Sequence, residues 1–130
     1  MAPRYGNAGR YVSNSVGTAS RPTLLVMLYD RALLDIDRAI LAIDAGVKDE
    51  AHNNLVHAQE IVMVLLGALD RTIWDGADGL AAIYSYVRGL LQRANISGDA
   101  SAAREARSLL APLCEAWRTA LSQTMAQQAS

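Results

Sequence analysis

Hydrophobic and polar positions divide the chain into a polar opening segment followed by four stretches of helical periodicity. Over residues 20–43, at roughly 100° per residue, Leu25, Leu28, Ala32, Ile36, Ala39 and Ile43 gather on one side, flanked by Tyr29 and Ile40. Ser20 is placed to cap this helix with its hydroxyl, and Pro22 falls in the first turn, where a missing N–H costs nothing. Nearly opposite the core face, Met27, Leu34 and Leu41, spaced by sevens, form a second apolar stripe bordered by Asp30, Arg31, Asp37 and Arg38. A helix on the outside of a small bundle buries one stripe, so the second is surplus and is available to something else.

The first helix is expected to end near Ala45-Gly46, because glycine accepts the left-handed cap conformation. A second helix is predicted over 48–70, with Leu55, Ala58, Ile61, Val62, Leu65, Leu66 and Leu69 inward. Val56, Met63 and Gly67 lie outside that stripe, with Val64 a little further round, so two successive helices carry spare apolar positions. Such parallel surpluses predict a groove. Trp74-Asp75-Gly76 opens a turn, and a third helix follows over 78–94 with Leu80, Ile83, Tyr84, Val87, Leu90, Leu91 and Ala94 facing inward and Tyr86 at the edge. Asn95-Ile96-Ser97-Gly98 reads as a turn, with Asp99 or Ser101 capping a fourth helix. Its inward face comprises Ala102, Ala106, Leu109, Leu110, Leu113, Trp117, Ala120 and Leu121, with Pro112 expected to bend or loosen it.

Short connections between four helices imply antiparallel neighbours, and the expected fold is all-α, an antiparallel four-helix up-down bundle with a flexible N-terminal segment. The domain division is 1–19 as a strap, 20–126 as the bundle and 127–130 as a tail. This opening segment reads either as a frayed terminus or as a strap whose Tyr11 and Val16 cover an apolar groove until a partner arrives.

Composition fits this picture. The 130 residues are 52% hydrophobic and contain no Phe, so the core must be aliphatic. Twelve basic residues against 13 acidic ones give a formal net charge of −1, which excludes a basic footprint for nucleic acid or an anionic membrane. The longest apolar run, 61–69, is far short of the ~20 residues that cross a bilayer, and the first ten residues resemble no signal peptide. A single cysteine, Cys114, allows no internal disulfide. A cytoplasmic protein is expected, without membrane insertion.

Candidate chemistry is sparse. His52 and His57 are five apart and do not share a helix face as metal ligands would, so no metal and no cofactor is expected. His57 and Glu60, at i, i+3, read as a solvated surface pair. An exposed histidine on a bundle can accept a phosphoryl group, making a phosphotransfer domain using His57 one alternative, although Glu60 beside it would repel the incoming group. Cys114 lies mid-helix without a base and reads as a core or boundary thiol. No catalytic residue emerges, and the expectation is a protein that is not an enzyme.

In order and spacing, Tyr11 ahead of Asn14, Val16 and Thr18-Ala19-Ser20, then Pro22, Met27-Leu28-Tyr29-Asp30 and Ala32, then Ile83-Tyr84-Ser85-Tyr86, Leu90, Ala94-Asn95 and Asp99, and finally Leu109-Leu110 and Ala116-Trp117, resemble the FliS family of flagellin-specific export chaperones. Arg31 departs from the family's usual Gly. The resemblance implies a cytosolic bundle that binds the disordered C-terminal segment of flagellin, prevents premature polymerisation and keeps the subunit competent for flagellar type III secretion. It also implies an N-terminal segment able to lie in the client groove, and contact with the export-gate protein FlhA when loaded. On this reading Tyr11, Val16, Met27, Leu34, Leu41, Val56, Met63 and Tyr86 are the expected flagellin contacts. Tyr29, Asp30, Tyr84, Asn95 and Trp117 are expected to be structural, since buried polar groups need partners of their own. The other rival is a self-associating helical adaptor bundle, in which the spare stripes meet a second copy.

Overall fold

The computed structural model describes residues 21–70, 72 and 75–129. Among them are four helices and no strand: α1 (Arg21–Ala45), α2 (Lys48–Ala68), α3 (Ala77–Ser97) and α4 (Ala100–Ala129). Each helix packs on its two neighbours in a closed ring, α1 on α2, α2 on α3, α3 on α4 and α4 back on α1. Side-chain bonds show the neighbours to be antiparallel: going up α1, Asp30, Asp37 and Asp44 bind Arg118, Arg107 and Arg104, descending α4. The architecture is the all-α four-helix bundle that the periodicity predicts.

Both tight connections rest on glycines with positive φ. After α1, Gly46 at φ 75° lets Val47 N–H reach Ala42 O at 2.9 Å and Gly46 N–H reach Ile43 O at 3.1 Å, which satisfies carbonyls the helix leaves free. After α3, Gly98 at φ 62° plays the same part, with Asp99 N–H on Ala94 O at 3.2 Å. The Asp99 carboxylate then accepts the Ala102 N–H at 3.2 Å and caps α4.

Several boundaries differ from those read in the sequence. Residues 95–97 are the last turn of α3 rather than a loop, because Gly98 is the first position that can take the cap conformation. Similarly, α2 stops at Ala68 and Leu69 is extended, whereas α4 continues through Pro112 to Ala129, into the expected 127–130 tail. Trp74 lies outside the described residues.

The core is built of aliphatic residues, many of them alanines that let helices approach closely: Ala32, Ile36 and Ala39 from α1, Leu55, Ala58 and Val62 from α2, Val87, Leu90 and Leu91 from α3, and Ala103, Ala106 and Leu110 from α4. On α1, Leu25, Leu28 and Ile43 pack half-buried against the core, while Val26 and Asp35 are buried. Tyr29 is not a flanking residue but sits at the centre of the core. On α4, Ala120 is exposed, because α4 there has run past the start of α3.

Candidate functional site: the outer flank of α1

Met27, Leu34 and Leu41 stand on the outer face of α1 with 43%, 40% and 70% of their surface exposed. Those fractions are large enough for a ridge of accessible apolar surface and too large for core residues. Two polar rails frame the ridge. On the α4 side, Asp30, Asp37 and Asp44 repeat by sevens and are held by Arg118 at 2.6 Å, Arg107 at 2.6 Å and Arg104 at 2.9 Å. Each pair is half-exposed and contributes little alone, but three in series fix the register of α1 on α4. On the α2 side, the buried Asp35 carboxylate accepts Arg31 Nε at 3.1 Å through Oδ1, and its Oδ2 meets His57 Nδ1. Only 1% of the Asp35 side chain is exposed, so its carboxylate depends on both partners for its hydrogen bonds. An apolar strip between ordered polar borders has the anatomy of a protein-binding surface.

The other expected contact residues stand elsewhere. Val56 is half-buried and Met63 is exposed, both on the outer face of α2. His57 marks the α1 side of α2 and His52, bonded through Nδ1 to Asn95 Oδ1 at 2.9 Å, marks the α3 side. At about 100° per residue Val56 and Met63 lie close to the direction of His52 and far from that of His57. They therefore border the α2/α3 seam rather than the α1 ridge. Tyr86 is further still, donating its hydroxyl to Glu105 of α4 at 2.5 Å. Tyr11 and Val16 lie outside the described residues.

The residue that adjoins the α1 ridge from α2 is Val64, exposed and about 20° round from His57. Its spacing of seven from His57 carried that signal, which becomes legible only when His57 is known to face α1. The His57 imidazole turns to Asp35. Periodicity does not mark Asp35, because a lone acid at the edge of an apolar stripe normally points to solvent; the signal in the sequence is Arg31 one turn earlier.

The internal polar residues are arranged as supports. Tyr29 and Tyr84 meet hydroxyl to hydroxyl, and Trp117 packs against the core. Burial is the main cause that pushes both phenols above their usual pKa, so both stay neutral at any physiological pH. Asp30 accepts from the buried Cys114 thiol at 3.4 Å as well as from Arg118. Burial, reinforced by that bond, raises the thiol pKa, which leaves Cys114 a packing residue rather than a nucleophile. Asn95 belongs to a helix, not a turn, and joins α3 to α2 through His52. A shallow cavity of about 510 Å³ opens beside this pair at the end of the bundle that holds the two glycine connections. The His52 and Asn95 groups lining it satisfy each other.

The family model for "Flagellar protein FliS" matches residues 4–124. The chain belongs to the FliS family. It is 33% identical over 111 residues to the flagellar secretion chaperone FliS of Bacillus subtilis, covering 85% of this chain and 83% of that one. It is 31% identical over 112 residues to the Escherichia coli protein of the same name, covering 85% and 82%. The Salmonella typhimurium protein, again named flagellar secretion chaperone FliS, is 28% identical over 116 residues, covering 82% and 81%. Membership of FliS makes this chain a flagellar export chaperone and not an enzyme. No described helix is long and apolar enough to cross a membrane.

Proposed function

We propose that this FliS-family chain holds the disordered C-terminal segment of flagellin in the cytosol, keeping it from polymerising and fit for type III secretion. The observation that carries the reading is the framed apolar ridge Met27, Leu34 and Leu41, exposed on a helix whose opposite face already completes the core. An amphipathic guest helix with apolar anchors at i, i+3, i+4 and i+7 complements such a ridge. Covering a few hundred Å² of apolar surface at ~25 cal/mol per Å² contributes several kcal/mol gross, part of which is offset by ordering the guest.

Val56, Met63 and Tyr86 extend the same role to further flanks of the bundle, where a long guest with more than one helix can wrap. Tyr11 and Val16 are proposed to occupy the guest surface of the empty chaperone. The loaded complex is proposed to meet FlhA at the export gate.

The test is calorimetric titration of the chain with the last ~50 residues of the flagellin from the same genome, a length that accommodates several ordinary helices. Saturable binding that leaves one chaperone per guest supports the reading. A chain that ignores the peptide and dimerises by light scattering supports the self-associating bundle instead.

A further inference from the structure

The α2/α3 seam contains an unmatched cation. Arg88 of α3 is half-buried, and its Nε is shielded from solvent without a hydrogen-bond acceptor. The other described arginines are accounted for: Arg31, Arg104, Arg107 and Arg118 are bound to carboxylates, while Arg21, Arg38 and Arg93 are exposed to water. A shielded donor without an acceptor is costly, and native proteins seldom leave one so.

The register of the seam shows what surrounds it. His52 and Asn95 are bonded across α2 and α3. Seven residues along an antiparallel pair, two turns later on the same faces, Gln59 stands opposite Arg88. Val56 and Met63 flank Gln59 at i−3 and i+4, so Arg88 sits at the inner margin of that apolar patch. Its own helix offers Tyr84, Ser85, Leu91 and Gln92 within one turn, none of them acidic. The nearest acid on α2, Glu60, lies about 100° round from Gln59, on the side of His57.

We infer that Arg88 selects the guest: a carboxylate on an apolar helix laid over Val56 and Met63 pairs with its guanidinium. This rests on the flagellin-holding reading and adds a specificity-determining contact to it. The charge complementarity is one-sided and local, an acid wanted among apolar residues, which distinguishes the fitting guest from a merely greasy one. The guest carboxylate meets the guanidinium at the margin of an apolar patch, where the pair is worth more than a bond formed at an exposed rim.

The experiment titrates wild-type chain, Arg88→Met and Arg88→Lys with the same ~50-residue flagellin peptide, then repeats it with each peptide Asp or Glu changed singly to Asn or Gln. Arg88→Met keeps the apolar stem, so its melting temperature is expected to match or exceed wild type while affinity falls about ten- to a hundred-fold. One acidic position in the peptide should reproduce that loss and add nothing further on the Arg88→Met background. Should Arg88→Met melt early, Arg88→Lys, which retains charge but not the Nε donor, carries the same comparison and should still bind more weakly than wild type. Equal binding by wild type and the variants, or additive losses at every acidic position, overturns the inference and leaves the flagellin reading intact. No binding by the wild-type chain removes both.

Discussion

Tyr29 and Tyr84 touch hydroxyl to hydroxyl although they come from α1 and α3, helices on opposite corners of the bundle that do not pack on each other. Their rings are 6.3 Å apart and tilted by 51°. Only a side chain as long as tyrosine spans that diagonal, and the polar ends must then meet in the middle of an apolar core. The pair pins the two diagonal helices together.

Each tyrosine loses its buried hydroxyl partner when the other becomes Phe, so Tyr29→Phe and Tyr84→Phe should each cost about 1–2 kcal/mol. Denaturant unfolding of the singles and the double measures this; a double equal to the sum of the singles would show that the hydroxyls do not interact.

Stability should also decline in alkali for the same reason. Both phenols have folded pKa values raised, chiefly by burial, above an ordinary value of 10.0. Between the unfolded and folded values the unfolded chain loses protons that the folded chain keeps, so this contribution is intact below about pH 10 and is lost as pH rises further. Unfolding midpoints measured across that range should fall for wild type and fall less for the Tyr84→Phe variant.

Asp35 makes a different demand. It is a buried carboxylate whose hydrogen-bonding partners, Arg31 and His57, are both half-exposed. Removing either partner should cost about 1–2 kcal/mol, since the acid remains buried with one donor fewer. Arg104→Ala, which breaks an exposed pair with Asp44, should cost about 0.5 kcal/mol or less. Chemical denaturation of Arg31→Leu, His57→Leu and Arg104→Ala ranks the three, and an equal ranking contradicts the structural role given to Asp35.

Deleting residues 1–18 separates a competing strap from an inert terminus. If Tyr11 and Val16 occupy the guest surface, the shortened chain binds the flagellin peptide more tightly in calorimetry. Unchanged or weaker affinity counts against competition.

Much of the fold was legible because a helix repeats its exposure every three or four residues. The stripes of Leu55 to Leu65 and Leu80 to Ala94, and the stop at Gly46, needed no tertiary information. Asp35, His57 and Arg88 were not legible, since what they do depends on which neighbour each helix face meets. Periodicity gives an angle around one axis and says nothing of the next helix's position. For the same reason Met27, Leu34 and Leu41 could be grouped from sequence, whereas Val56, Met63 and Tyr86 could not be assigned to separate seams. The Asn-Ile-Ser-Gly string resembles a turn, yet Asn95 is helical and only Gly98 terminates the helix.

The central proposal is that guest flagellin lies along the outer ridge of α1, and methyl NMR reports on that ridge directly. With the Met and Leu methyls labelled, adding the flagellin C-terminal peptide should shift or broaden the signals of Met27, Leu34 and Leu41 at saturating guest. Binding that leaves those three signals unmoved would contradict the account.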